Sequence, residues 1–231
     1  MEAKTPRSRA IWARRGLASR SRLDRTTHAM LLRQLYLSHF ERRNFREALD
    51  LTASSLTLGV LSDVVHQDAA RAAAAMGDID VASRHLRTAA RVGPASRRAF
   101  HWWTLGSLYF LANRHAEAVG ALERAARWGT RDKPLYQGHL ALALIAAGED
   151  EDVDTSELIE RLESVPAGQG YGRFVLGMLA LHERRLLEAR SHLQAFVERT
   201  ERGRLATSIA LDGELTRAKK ALQSLARGRA G

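Results

Sequence analysis

The sequence predicts an all-α solenoid of antiparallel helix pairs, and three observations carry that prediction. Small residues recur at a period near 35: Ala48, Ala82 and Ala118 follow one another at steps of 34 and 36, and Ala189 lies 71 beyond Ala118. Within a window the apolar spacing is helical, as in Trp102, Leu105, Gly106 and Tyr109, which fall at i, i+3, i+4 and i+7. Only four prolines interrupt 231 residues, and no long alternating β-branched stretch suggests a strand.

Taken in order, residues 1–28 read as a basic N-terminal tail or an extra helix. The first pair, 29–62, has Leu32, Leu35 and Tyr36 on its first helix, Asn44 and Phe45 in the turn, and Ala48 after it. Thr52 and Ser55 stand where apolar packing is usual, which marks a divergent hairpin. The second pair, 63–98, has Gly77 in its turn, then Ala82, Leu86 and Ala89, and ends at Pro94. The third, 99–133, is the clearest, with Asn113 at a turn that favours a residue tolerant of left-handed backbone. Gly106 and Ala118 are small where its two helices approach. The fourth, 134–169, carries Leu140, Ala141, Leu144 and turn residue Gly148, with a late second helix stopped near Pro166. The fifth, 170–203, has Leu176, Gly177, Ala189, Leu193 and Phe196. Residues 204–231 form a shortened capping unit with a basic end, since a terminal repeat presents one face to water.

The third window reads W-x2-L-G-x2-Y (Trp102, Leu105, Gly106, Tyr109) and then A-x3-L-x2-A (Ala118, Leu122, Ala125), which resembles the tetratricopeptide repeat (TPR) family. The likeness extends loosely over residues 29–230 and is best over 63–132. Only the third unit has the tryptophan, and the terminal proline survives only at Pro94. By this resemblance Gly77, Ala82, Trp102, Leu105, Gly106, Tyr109, Ala118, Leu122, Gly177 and Ala189 are repeat-packing positions. The resemblance also implies a right-handed superhelical solenoid whose concave groove, lined by the first helices, takes an extended or helical peptide.

With the third unit as register, the groove positions are Phe100, Trp103, Ser107 and Phe110, joined by Arg33 and Phe40, Arg71, and Phe174 and Met178 from other units. Such a surface would bury an aromatic or apolar anchor and steer an acidic flank through its arginines. A shift of one position would instead bury Trp103 and expose Trp102. A clamp for a terminal carboxylate, built from Lys and Asn on first helices, is not expected. Asn44 and Asn113 are both at turns, and Lys133 is the single lysine between the ends.

The net charge of +10 is unevenly placed. Residues 1–28 carry +6 and 217–231 carry +5, which leaves −1 for everything between. A fold-wide basic surface is therefore not expected, while the two ends remain an alternative contact for nucleic acid or anionic lipid. The absence of cysteine removes disulfides, thiolate metal sites and a cysteine nucleophile. Nine histidines show no metal-ligand spacing, so no metal is expected. An EF-hand begun at Asp150 would need Gly and Glu where Thr155 and Arg161 stand; Asp154 with Glu157 reads instead as a helix capping box. Gly168, Gly170 and Gly172 lack the third glycine of a phosphate loop, because Arg173 holds its place, and read as a flexible hinge. No apolar run is long enough for a signal or a membrane span. The expectation is a cytoplasmic, non-catalytic, cofactor-free adaptor for a protein or peptide partner.

Overall fold

The computed structural model describes residues 5–19 and 23–227, and among them it forms thirteen α-helices and no strand. Lys4, Arg20, Arg22 and Arg229, counted with the basic ends, lie outside the described residues. The chain divides into two compact units at His101/Trp102.

The first unit contains α1 (Pro6–Ala18), α2 (Arg25–Glu41), α3 (Phe45–Leu56), α4 (Ser62–Ala75), α5 (Ile79–Val92) and the start of α6 (Ala95–Leu111). Residues 6–18 are thus a helix rather than a tail. Thr5 caps it, with Pro6 in the first turn where a missing N–H costs nothing. Ala10 and Ala13 are buried with Leu35 of α2, Ser38 donates to the Pro6 carbonyl (2.6 Å), and Arg9 pairs with Glu41 (2.6 Å).

The second unit contains the rest of α6, then α7 (His115–Trp128), α8 (Lys133–Ala147), α9 (Thr155–Glu163), α10 (Gly172–His182), α11 (Leu186–Glu201), α12 (Leu205–Ala210) and α13 (Asp212–Arg227). α9 starts late behind the acidic run. Asp154 Oδ1 accepts from the Glu157 N–H (2.9 Å), while the Glu157 carboxylate turns to Arg161 instead of closing the reciprocal half of a capping box.

The turn between the helices of each pair is the same five times over. The first helix ends in a residue with left-handed backbone: Arg43 (φ 60°), Gly77 (81°), Asn113 (58°), Gly148 (75°) and Arg184 (58°). The following N–H then reaches five residues back: Asn44 to His39 (2.9 Å), Asp78 to Ala73 (3.0 Å), Arg114 to Tyr109 (2.9 Å), Glu149 to Leu144 (3.0 Å) and Arg185 to Ala180 (2.9 Å). This is the Schellman closure, which satisfies carbonyls that the helix end leaves open. The left-handed residues stand 34, 36, 35 and 36 apart, so the repeat is written in the backbone as well as in the side chains.

Arginine pays a steric penalty of about 1–2 kcal/mol for left-handed backbone, which glycine avoids. Arg184→Gly is expected to stabilise the protein by about 1 kcal/mol, read as a higher urea midpoint at unchanged slope. A lower midpoint would show that the Arg184 side chain holds the turn by contacts of its own.

Close packing recurs with the turns. A Cβ added to Gly106 would lie 2.4 Å from Leu122 Cγ, and one added to Gly177 would lie 2.6 Å from Leu193 Cγ. Ala48, Ala82, Ala118 and Ala189 are fully buried on the facing helices, and Leu105, Tyr109 and Leu122 fill the core beside them. Gly77 is different, since its Cβ position is open and only its backbone needs glycine. The glycine loop is tight at two of its three glycines, while the Cβ position of Gly170 is open. A Cβ on Gly168 would meet the Leu162 carbonyl at 2.2 Å, and one on Gly172 the Ala167 carbonyl at 2.3 Å, so both mark tight backbone approach.

Candidate functional site

In the first unit the two expected groove arginines share one acid. Arg33 Nε donates to Asp68 Oδ2 (2.6 Å), Arg71 Nη1 approaches Asp68 Oδ1 (3.4 Å), and Asp68 itself is buried. Tyr36 Oη donates to the Asp68 carbonyl (2.7 Å), which fixes the α2–α4 contact from the other side. The arginines therefore present one net positive charge rather than two. Phe40, placed in the groove by the sequence register, is 1% exposed. It stacks on Tyr36 (5.6 Å) and meets the tilted Phe45 ring (5.4 Å), closing over the turn to α3 as core. Phe100 is half-buried and lies edge-on to His101.

His101 is buried between Asp63 (Nε2 to Oδ2, 3.1 Å) and Gln67 (Nδ1 to Oε1, 2.9 Å). Arg97 completes the cluster with a two-pronged pair to Asp63 at 2.7 and 2.9 Å. Burial pushes the Asp63 carboxyl up, but the hydrogen bonds and charges of Arg97 and His101 outweigh it and hold it below its ordinary value. Burial holds the His101 ring below its ordinary value despite Asp63. His66 and His85 meet through their Nδ1 atoms at 2.8 Å across α4 and α5, and burial lowers both.

In the second unit the adjacent tryptophans point to different elements. Trp102 lies under the Arg124 guanidinium of α7 (5.0 Å). Trp103 turns to α8 and beyond, donating from Nε1 to His139 Nδ1 (3.1 Å) and meeting Tyr171 edge-on at 4.7 Å. That bond fixes His139 as the neutral tautomer with its proton on Nε2. His139 is fully buried, and burial followed by the Arg217 charge pushes it down to about 3.

The face formed by α6, α8 and α10 is not open. α13 lies against it. Ser107 Oγ (2.9 Å) and Tyr171 Oη (3.0 Å) both donate to Glu214 Oε1, while Glu214 Oε2 is buried without a partner among the described residues. Desolvation raises the Glu214 carboxyl above its ordinary value. One turn along, the Arg217 guanidinium sits 4.5 Å over the Phe110 ring and donates to the Phe110 carbonyl (3.0 Å) and Asn113 Oδ1 (2.7 Å). It thereby adds a second donor to the Phe110 carbonyl, which already accepts from the Asn113 N–H (3.2 Å) at the end of α6. Ser107 and Phe110 are buried under this helix, and Phe174 is core against Phe196 (5.4 Å). Trp103 and Met178 keep part of their surface. Glu214, Tyr171 and Arg217 carried no sequence signal as site residues, because no local spacing links residues a hundred positions apart.

No protein-family model and no curated protein matches the sequence. Among solved structures, PilF of Pseudomonas aeruginosa is similar at 17% identity, over 87% of this chain and 90% of that one, with a TM-score of 0.55. The fold is TPR-like. Two structures of MamA are also similar, at 18% and 16% identity over 80% and 73% of this chain and 97% and 94% of theirs, with TM-scores of 0.47 and 0.44. The TPR-like pairs α2–α3, α4–α5, α6–α7, α8–α9 and α10–α11 each carry the Schellman turn, which ties the fold to the 35-residue rhythm of the sequence. No helix among the described residues is long and apolar enough to cross a membrane.

Proposed function

We propose that the protein is a non-catalytic interaction scaffold that binds a peptide or protein segment on the first-helix faces of its TPR-like repeats. One observation carries this reading: the face of α6, α8 and α10 already holds a helix, α13, through an aromatic cluster, a buried hydrogen-bonded carboxylate and a cation–π contact. The surface has both the apolar area and the polar anchors that recognition of a protein segment requires. Its titratable groups hold that helix, so they speak for binding rather than turnover.

Several of the basic end residues are engaged inside the fold rather than held out for nucleic acid or anionic lipid. Arg9 is tied to Glu41, Arg15 lies over Trp12, Arg217 is turned onto Phe110, and Lys219 pairs with Glu201 (2.6 Å). These four basic residues of the two ends thus have partners within the fold.

The test is capture of partners from the native source by the intact chain and by single variants in parallel. Trp103→Ala and Met178→Ala are expected to lose the captured protein, while Trp102→Ala keeps it. Equal capture by all three would place the binding surface elsewhere.

A further inference from the structure

The contact between α13 and the α6–α8–α10 face differs in kind from the packing inside the helix pairs. Within a pair the contact is apolar and tight, as at Gly106 on Leu122 and Gly177 on Leu193. α13 instead buries only Glu214, Leu215 and Ala218 of its sixteen residues. Its anchoring to α6 is largely polar, with Glu214 on Ser107 and Arg217 on the carbonyl end and the Phe110 ring, beside one close apolar approach where a Cβ on Gly213 would lie 3.0 Å from Leu111. The Glu214 carboxyl holds two hydroxyl donors on Oε1 while Oε2 is buried without a partner among the described residues, so its lost hydration is compensated only in part. A polar, sparsely apolar contact of this kind resembles an exchangeable interface more than a core. α13 also runs along α11, where Arg190 donates to the Leu225 carbonyl (3.1 Å) and Lys219 pairs with Glu201 (2.6 Å), and it is joined to the array through Gly203 and the six-residue α12, whose first residue Leu205 is exposed. Segments with few buried apolar contacts open at low free-energy cost.

Resting on the scaffold reading above, we propose that this face is the receptor for an amphipathic helix of a partner protein carrying the α13 signature, a carboxylate followed three residues later by a guanidinium. That helix docks by displacing α13. The carboxylate takes the Ser107 and Tyr171 hydroxyl donors, the guanidinium takes the α6 carbonyls and the Phe110 ring, and a leucine beside the carboxylate fills the place of Leu215. The resident helix acts as an internal competitor, so a partner without both charged groups in that register is excluded.

The probe is a fluorescently labelled synthetic peptide of residues 205–227, titrated by anisotropy against the full-length chain. Glu214→Ala/Arg217→Ala in the full-length chain loosens the resident helix and leaves the face intact. This variant is expected to bind the peptide at least tenfold more tightly than the unaltered chain does. Arg217→Ala alone, which keeps the buried Leu215 and Ala218, is the gentler version should the double variant lose its fold, and is expected to shift affinity in the same direction. A peptide carrying either alanine is expected to bind at least tenfold more weakly. Equal affinity for altered and unaltered chains, or no binding to either variant, overturns the proposal. So does a loosened chain that forms dimers instead of binding peptide, because the occupant would then be a second copy. If the peptide fails to bind while Trp103→Ala still abolishes partner capture, the displacement model falls and the scaffold reading stands.

Discussion

Gly106→Ala is expected to lower stability by about 3 kcal/mol, and Gly177→Ala to do the same in its own repeat. The reason is local and identical at the two sites. Each glycine lies where an added methyl would press into a leucine sixteen residues later, at 2.4 Å for Leu122 and 2.6 Å for Leu193. Both leucines are fully buried, so neither can swing into solvent to make room. In a chain of this length such a loss lowers the melting temperature by roughly 6–12 °C. Compensation separates a steric cause from a conformational one. Leu122→Ala alone is expected to cost about 2–5 kcal/mol by opening a cavity. Combined with Gly106→Ala it should cost clearly less than the sum, because the new methyl occupies part of that cavity. Additive losses would mean that Gly106 is needed for its backbone rather than for its missing side chain.

Acid is expected to weaken the fold well before the carboxylates titrate. His139 falls from 6.5 in the unfolded chain to about 3 in its buried site. The unfolded chain therefore takes up the proton first, and stability fully present above pH 6.5 is lost as pH falls toward 3. The slope is about 1.4 kcal/mol per pH unit, which gives a loss of about 2 kcal/mol at pH 5 from this group alone. Burial also lowers His39, His66, His85, His101 and His192, all with the same sign. Glu214 acts the other way. Its folded value is raised, so its contribution is present in acid and lost as pH rises through that value, a partial offset. Urea unfolding at pH 7 and pH 5 should show the loss, and His139→Gln should make the slope with pH shallower by about 2 kcal/mol over this range. Equal slopes for the two proteins would contradict a neutral, buried His139.

The repeat was legible because it is encoded locally. Small residues at 48, 82, 118 and 189 and the helical spacing from Trp102 to Tyr109 each need only a short window to be read. Two turns escaped for the complementary reason. Arg43 and Arg184 adopt the conformation of Gly77 and Asn113, and nothing in an arginine announces it. Around the candidate face the sequence register shows which side of α6 is rich in aromatics but not what lies upon it. Ser107 and Glu214 meet across 107 positions, and a glutamate and an arginine three apart on a surface-looking helix carry no long-range signal. Burial of Ser107 and Phe110 follows from that unseen helix. Burial of Phe40 has a different origin, since it sits at the end of α2 where the chain folds back and Phe45 closes onto it.

Trp102 and Trp103 offer the sharpest test of the account, because neighbours in sequence here contact different elements. One lies under Arg124 of α7, and the other lines the face that holds α13. Capture of a partner from the native source should be lost with Trp103→Ala and preserved with Trp102→Ala, the two variants matching in helical circular dichroism. Partner capture that survives Trp103→Ala, or is lost only with Trp102→Ala, would contradict a binding site on the first-helix face.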